Sequence, residues 1–184
     1  EAQTDNISAT FDSNANKVVI AYRDVGNSSY GTLIPGTVSG TTISFESAVV
    51  FESASTSSTA IAFDNVTNKI VVAYKDVGNS NYSTGVVFQN SSVNTNITAE
   101  NFIGMSRGAV TSTSRSQALG SEAVFESAST YYTSSTFDSN SNRVVTIYND
   151  FGNSEYLVCV VGTVSGTSIS YGTPVIISST ATIN

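Results

Sequence analysis

The chain of 184 residues is 40% hydrophobic and only 11% charged, with 7 Lys and Arg against 14 Asp and Glu, a net charge of −7, and neither His nor Trp. Its few basic residues are scattered, which excludes the cationic footprint of nucleic-acid binding and disfavours an anionic membrane surface; no apolar run approaches the roughly 20 residues that span a bilayer. A single cysteine, Cys159, excludes an internal disulfide framework, and its Val-rich surroundings mark it as a small buried hydrophobe.

In chain order, the first predicted element is a short strand with polar alternation, Ile7–Phe11. Asp12–Asn16 supplies a tight turn, since Asn and Asp tolerate left-handed backbone and bond their own main chain. Lys17–Asp24 is a β-branched strand, apolar on both faces: Val18, Ile20 and Tyr22 point one way, Val19 and Ala21 the other. Such a strand is expected to be covered on both sides. A second turn, Asp24–Ser28, uses Gly26 for positive φ. Tyr30–Val38 is the third strand, Ser39–Gly40 a hairpin signal, and Thr41–Phe51 a fourth strand bent near Glu46–Ser47.

The same text is then written twice more. FDSNANKVVIAYRDVGNS from Phe11 returns as FDNVTNKIVVAYKDVGNS from Phe63 and as FDSNSNRVVTIYNDFGNS from Phe137. GTVSGTTISF (Gly36–Phe45) returns as GTVSGTSISY (Gly162–Tyr171), while the second copy carries an insertion over 89–120 instead. The closing strands are AVVFESAST (Ala48–Thr56), AVFESAST (Ala123–Thr130) and PVIISSTAT (Pro174–Thr182). A repeat of this kind buries its apolar faces against its neighbours. The expected architecture is all-β: three tandem four-stranded antiparallel repeats resembling β-propeller blades, with a β-sandwich or an elongated hairpin stack as alternatives. The units run 1–52, 53–126 with its insertion at 89–120, and 127–184 including a stub of a next repeat. Three blades do not readily close a ring of the usual four to eight. A longer array or several copies is therefore expected.

Asp-x-Gly-Asn-Ser stands unbroken in all three copies and gives the candidate ligand-binding residues: Asp24, Asn27 and Tyr30; Asp76, Asn79 and Tyr82; Asp150, Asn153 and Tyr156. Carboxylate, amide and aromatic face together suit the hydroxyls and apolar face of a sugar. A turn in which Asp and Ser cap the backbone explains the same residues structurally. Asp12, Asn14 and Asn16, with Asp138, Asn140 and Asn142, offer too few carboxylates for calcium, and Asp64–Asn68 breaks the spacing. No metal and no cofactor are expected. Arg23, Lys75 and Asn149 share one column, so no arginine cluster recurs, and no nucleophile motif is present. No enzyme is expected. Within the insertion, Phe102, Ile103 and Met105 form the most apolar stretch outside the repeats and are candidate interface residues.

At FDSNANKVVIAYRD, GNSSYGT, GTVSGTTISF, VVFESAST and ITAENFIGMS the chain resembles β-repeat virion proteins of marine tailed bacteriophages such as cyanophages, of the tail-fibre or appendage-adhesin type. The resemblance implies a non-enzymatic structural or receptor-binding component, located in the virion or outside the cell. Its expected partners are other virion proteins or further copies of itself, and a bacterial surface glycan. The alternatives are a free-standing oligomeric lectin-like propeller and a purely architectural decoration or spacer protein.

Overall fold

The computed structural model describes residues 3–90 and 117–179. Phe102, Ile103 and Met105, with most of the insertion, lie outside them.

The described residues are all-β and antiparallel. The first copy forms β1 (Thr4–Asp12), β2 (Lys17–Asp24), β3 (Tyr30–Ser39) and β4 (Thr42–Phe45), and β5 (Val49–Asp64) follows. The second continues with β6 (Lys69–Asp76), β7 (Tyr82–Gln89), β8 (Ala118–Leu119) and β9 (Ala123–Glu126). The third comprises β10 (Thr130–Asp138), β11 (Arg143–Asp150), β12 (Tyr156–Ser165), β13 (Ser168–Tyr171) and β14 (Val175–Ser178). β5 closes one unit and opens the next: Val49–Ser55 pairs with β3, and Thr56–Asp64 pairs with β6. Sharing β5 joins the first nine strands into one hydrogen-bonded sheet, beside a five-stranded sheet of β10–β14.

The registers of the three copies coincide. Thr4 pairs with Asp24, Thr56 with Asp76 and Thr130 with Asp150, and each ladder slips at the same place, between Asp5 and Ser8, Ser57 and Ala60, and Tyr131 and Ser134. The fourth strand breaks over 46–48, where the chain passes from pairing Gly36 with Phe45 to pairing Leu33 with Val49. Three residues there (46–48) stand opposite two (34–35), and the one extra residue forces that break. Glu46 anchors it through an ion pair with Lys17 and through its amide, which donates to Pro35 O at 2.9 Å.

Two turn expectations change. The hairpin turn falls on Gly40–Thr41, between paired Ser39 and Thr42, with Gly40 at φ +60°. In the second turn the positive φ sits on Ser28 and Ser29 (55° and 63°), not on Gly26, and on Ser80, Asn81, Ser154 and Glu155 in the other copies. The glycine is needed for space: a Cβ on Gly78 would collide with Ala54, and one on Gly152 with Ala128.

The units lie face to face. Val19, Ala21, Leu33 and Phe51 of the first pack on Ile70, Val72, Tyr74, Val86 and Phe88 of the second. On the opposite face of the second unit, Val71 and Val87 meet Val144 and Ile169, and Ala73 and Phe125 meet Tyr148, Val158 and Val160. Every residue of β6 is therefore buried. In β2 and β11 one face is covered and the other is only partly sheltered, so the double-sided strand of the sequence is fully realised in the middle unit.

Candidate functional site

The recurrent Asp-x-Gly-Asn-Ser loops occupy equivalent ends of the three units. Asp24 Oδ1 accepts the Asn27 amide at 3.1 Å, Asp76 Oδ1 the Asn79 amide at 3.0 Å, and Asp150 Oδ1 the Gly152 amide at 2.9 Å. Asp76 and Asp150 are buried. Each carboxylate is thus engaged in holding its own turn. Asn27, Asn79 and Asn153 are exposed, whereas Tyr30, Tyr82 and Tyr156 are half-buried. The side chains a ligand meets first at these loops are the three amides. The Asp-x-Asn loops behave alike: Asp12 Oδ1 accepts the amides of Asn14 and Ala15, and Asp64 Oδ1 those of Val66 and Thr67.

A second arrangement was not anticipated from the sequence. One contact locks successive units together: Phe51 of β5 meets Tyr74 of β6 edge-on with ring centroids 5.1 Å apart, and Phe125 meets Tyr148 at 5.4 Å. Beside each phenylalanine a glutamate accepts the tyrosine hydroxyl, Glu52 from Tyr74 at 3.1 Å and Glu126 from Tyr148 at 3.4 Å. The Phe-Glu pair repeated in VVFESAST and AVFESAST, and the tyrosine repeated in each second strand, were the available signals. At the first lock Glu52, Asp76 and Glu122 bring carboxylate oxygens within 4.8 Å of one another. A hydrogen bond to Glu52, then burial and the charges of Glu52 and Asp76, raise the Glu122 carboxyl to about 7. Burial, then the charge of Glu52, raises Asp76 as well. The cluster thus sets Glu122, on the exposed side, against buried Glu52 and the turn-capping Asp76.

The opening strands β1, β5 and β10 run side by side and line a cavity at each end. One, of about 530 Å³, is walled by Phe11, Phe63 and Phe137 with Ser13, Asn65 and Ser139, the same positions in each copy. The other, of about 370 Å³, lies at the three slips and is lined by Asn6, Ile7, Ser57–Thr59 and Tyr131–Thr133. Across it Asn6 Oδ1 accepts the Ser58 amide at 3.0 Å, tying the first slip to the second.

The outer faces of the stack are apolar. On the first unit Thr4, Ile7, Ile20, Tyr22, Ile34 and Phe45 line a shallow depression. On the third unit Val161, Val175 and Ile177 are exposed and Cys159 is half-buried in the column of Leu33 and Gly85. Ile177 and Ser178 stand there in place of the Phe-Glu lock. Comparison with protein-family models, with curated proteins and with solved structures finds no match.

Proposed function

We propose that the chain is a non-enzymatic structural and receptor-binding component of a phage virion, a segment of tail fibre or appendage built from three blade-like four-stranded repeats. The observation that carries this reading is the pair of end faces left uncovered among the described residues. Residues in the columns of Ile20, Tyr22 and Ile34 are buried in the second and third units, as Val72, Tyr74 and Val86 and as Thr146, Tyr148 and Val160. The first unit therefore presents the half-interface that the other two have already filled. Gly36 under Ile43 and Phe45 repeats Gly162 under Ile169 and Tyr171, contact for contact.

The radial, propeller-like arrangement draws support from the cavities, where the opening strands of the first and third units flank that of the second. A middle unit covered on both faces favours stacked blades over a two-layer sandwich. The other supports are the resemblance to marine phage repeats and a polar, weakly charged surface that meets polysaccharide or protein without much desolvation. The non-catalytic part of the reading rests on carboxylates committed to turns and to interface tyrosines.

Each end face takes a further unit of the same kind, from a second copy of the chain, in a head-to-tail and hence heterologous contact. The experiment is twofold. Sedimentation of the purified chain shows concentration-dependent association that Ile34→Lys abolishes. Antibodies to the chain decorate the fibres or appendages of tailed particles in electron micrographs. A monomer at all concentrations, together with undecorated particles, would remove the reading.

A further inference from the structure

The cavity at the three slips is not symmetric in its side chains. At its edge β1, β5 and β10 hold one residue each in the left-handed region: Asn6 (φ 50°), Ser58 (φ 49°) and Tyr132 (φ 52°). Asparagine tolerates that backbone, and serine is small; a bulky tyrosine there is an outlier that costs conformational energy. Burial does not offset the cost, because Tyr132 is 69% exposed.

Two neighbouring columns change in the same copy and the same sense. Asp5 and Ser57 become Tyr131, and Val25 and Val77 become Phe151. The three aromatic residues meet in space. The Tyr131 ring centroid lies 6.4 Å from that of Tyr132 and 5.5 Å from that of Phe151, the latter pair edge-to-face. All three are exposed. The shelf is fixed from below: Lys75, buried in β6, places Nζ 3.9 Å from the Tyr131 ring centroid and donates to Ser129 Oγ at 3.3 Å. A cation held against a ring in this way orients it.

The cavity thus joins the rings of Tyr131 and Tyr132 to Ile7, to Asn6, whose Oδ1 already holds the Ser58 amide, and to the hydroxyl-bearing residues Ser57, Ser58, Thr59 and Thr133. Its roughly 370 Å³ lies at the small end of ligand pockets. A pyranose ring has matching chemistry: an axial C–H face that stacks on an aromatic surface, and an edge of hydroxyls that exchange hydrogen bonds with serine, threonine and amide groups.

We propose that this cavity binds one pyranose residue of a glycan, stacked on Tyr132 and Tyr131, and that the third repeat is the one specialised for recognition. The inference rests on the receptor-binding half of the proposed function and moves its site from the Asp-x-Gly-Asn-Ser loops to the slips of the opening strands.

The test uses saturation-transfer NMR on the full chain with four probes: methyl glucopyranoside, methyl galactopyranoside, N-acetylglucosamine and glucuronic acid. The variants are Tyr131→Ser, Tyr132→Ser and Phe151→Val, each restoring the residue that the second copy already carries in a folded unit. Saturation transfer to at least one sugar is expected. Tyr132→Ser and Tyr131→Ser should weaken binding about tenfold or more, and Tyr132→Ser should leave the melting temperature unchanged or raise it, because the strained tyrosine is gone. Competition by the acid but not the neutral sugars would place the ligand among uronates and bring Lys75 into the site. Transfer to none of the four, or transfer indifferent to both tyrosine variants, overturns the proposal. Association in sedimentation is read separately, so loss of the sugar site leaves the assembly reading standing.

Discussion

Tyr74 shows how much one side chain can carry in this chain. Its ring is fully buried between two units and its hydroxyl donates to Glu52, whose other oxygen accepts the Ala54 amide at 2.7 Å. Tyr74→Phe keeps the packing and strips a donor from a buried carboxylate. A loss of about 1–3 kcal/mol in urea unfolding is expected. Tyr148→Phe should cost less, because its bond to Glu126 is longer and less buried. The neighbouring Glu122 makes this junction pH-sensitive. Its folded-state pKa, about 7, is raised above the ordinary glutamate value. A carboxyl with a raised pKa contributes stability that is complete below its unfolded pKa and disappears as pH climbs through the folded one. Asp76 is shifted in the same direction. Unfolding followed from pH 4.5 to 8.5 should show the chain losing stability through neutrality. Glu122→Gln, which keeps a hydrogen-bonding side chain without the titration, should flatten that profile. An unchanged slope in the variant would remove Glu122 as the source.

Strands in this chain are matched to one another by volume as well as by register. At the second junction β7 offers Gly85 where β3 has Leu33 and β12 has Cys159. A Cβ at Gly85 would collide with the Tyr171 hydroxyl, which reaches across from β13. The same hydroxyl is buried without a hydrogen-bond partner, and burial raises its pKa. Gly85→Ala is therefore expected to destabilise by about 1–3 kcal/mol through overpacking. Tyr171→Phe alone should be close to neutral, because it removes an unsatisfied group. The double variant should recover part of the alanine's cost in a denaturation cycle. Strict additivity would show that the two strands do not meet there. The turns obey a related rule: Gly78 and Gly152 let a loop settle on Ala54 and Ala128, which a reading of glycine as a source of positive φ overlooks.

Across the whole fold, among the described residues the middle unit alone is sandwiched, and the outer two expose what it hides. Burying one Val or Ile side chain contributes about 1.5–3 kcal/mol, so the end columns favour association once a matching face arrives. A head-to-tail contact has a signature that a two-fold contact lacks. Ile34→Lys spoils one face and Val161→Lys the other, so each variant alone should sediment as a monomer. An equimolar mixture should form heterodimers through the one intact junction left between them, and stop there. Failure of the mixture to associate would point to an isologous interface instead. The Phe-Glu lock is missing where Ile177 and Ser178 close the third unit, so that junction is expected to be weaker than the two within the chain.

The repeated text was enough to read the antiparallel strands, the side to which Val18, Ile20 and Tyr22 turn against Val19 and Ala21, the bend at Glu46–Ser47 and the Asp-capped turns. All of these follow from local alternation and turn chemistry acting within one copy. The candidate sugar residues were named from the same local pattern, and the structure shows Asp24, Asp76 and Asp150 holding their own turns. What lies between copies needed the tertiary structure. The Glu52–Tyr74 lock, the Glu122 carboxyl pair, the fit of Tyr171 over Gly85 and the gathering of Tyr131, Tyr132 and Phe151 over Lys75 join residues from different ladders. Their meeting depends on how one sheet faces the next, and a single copy's alternation records which way a side chain points but not what it will touch.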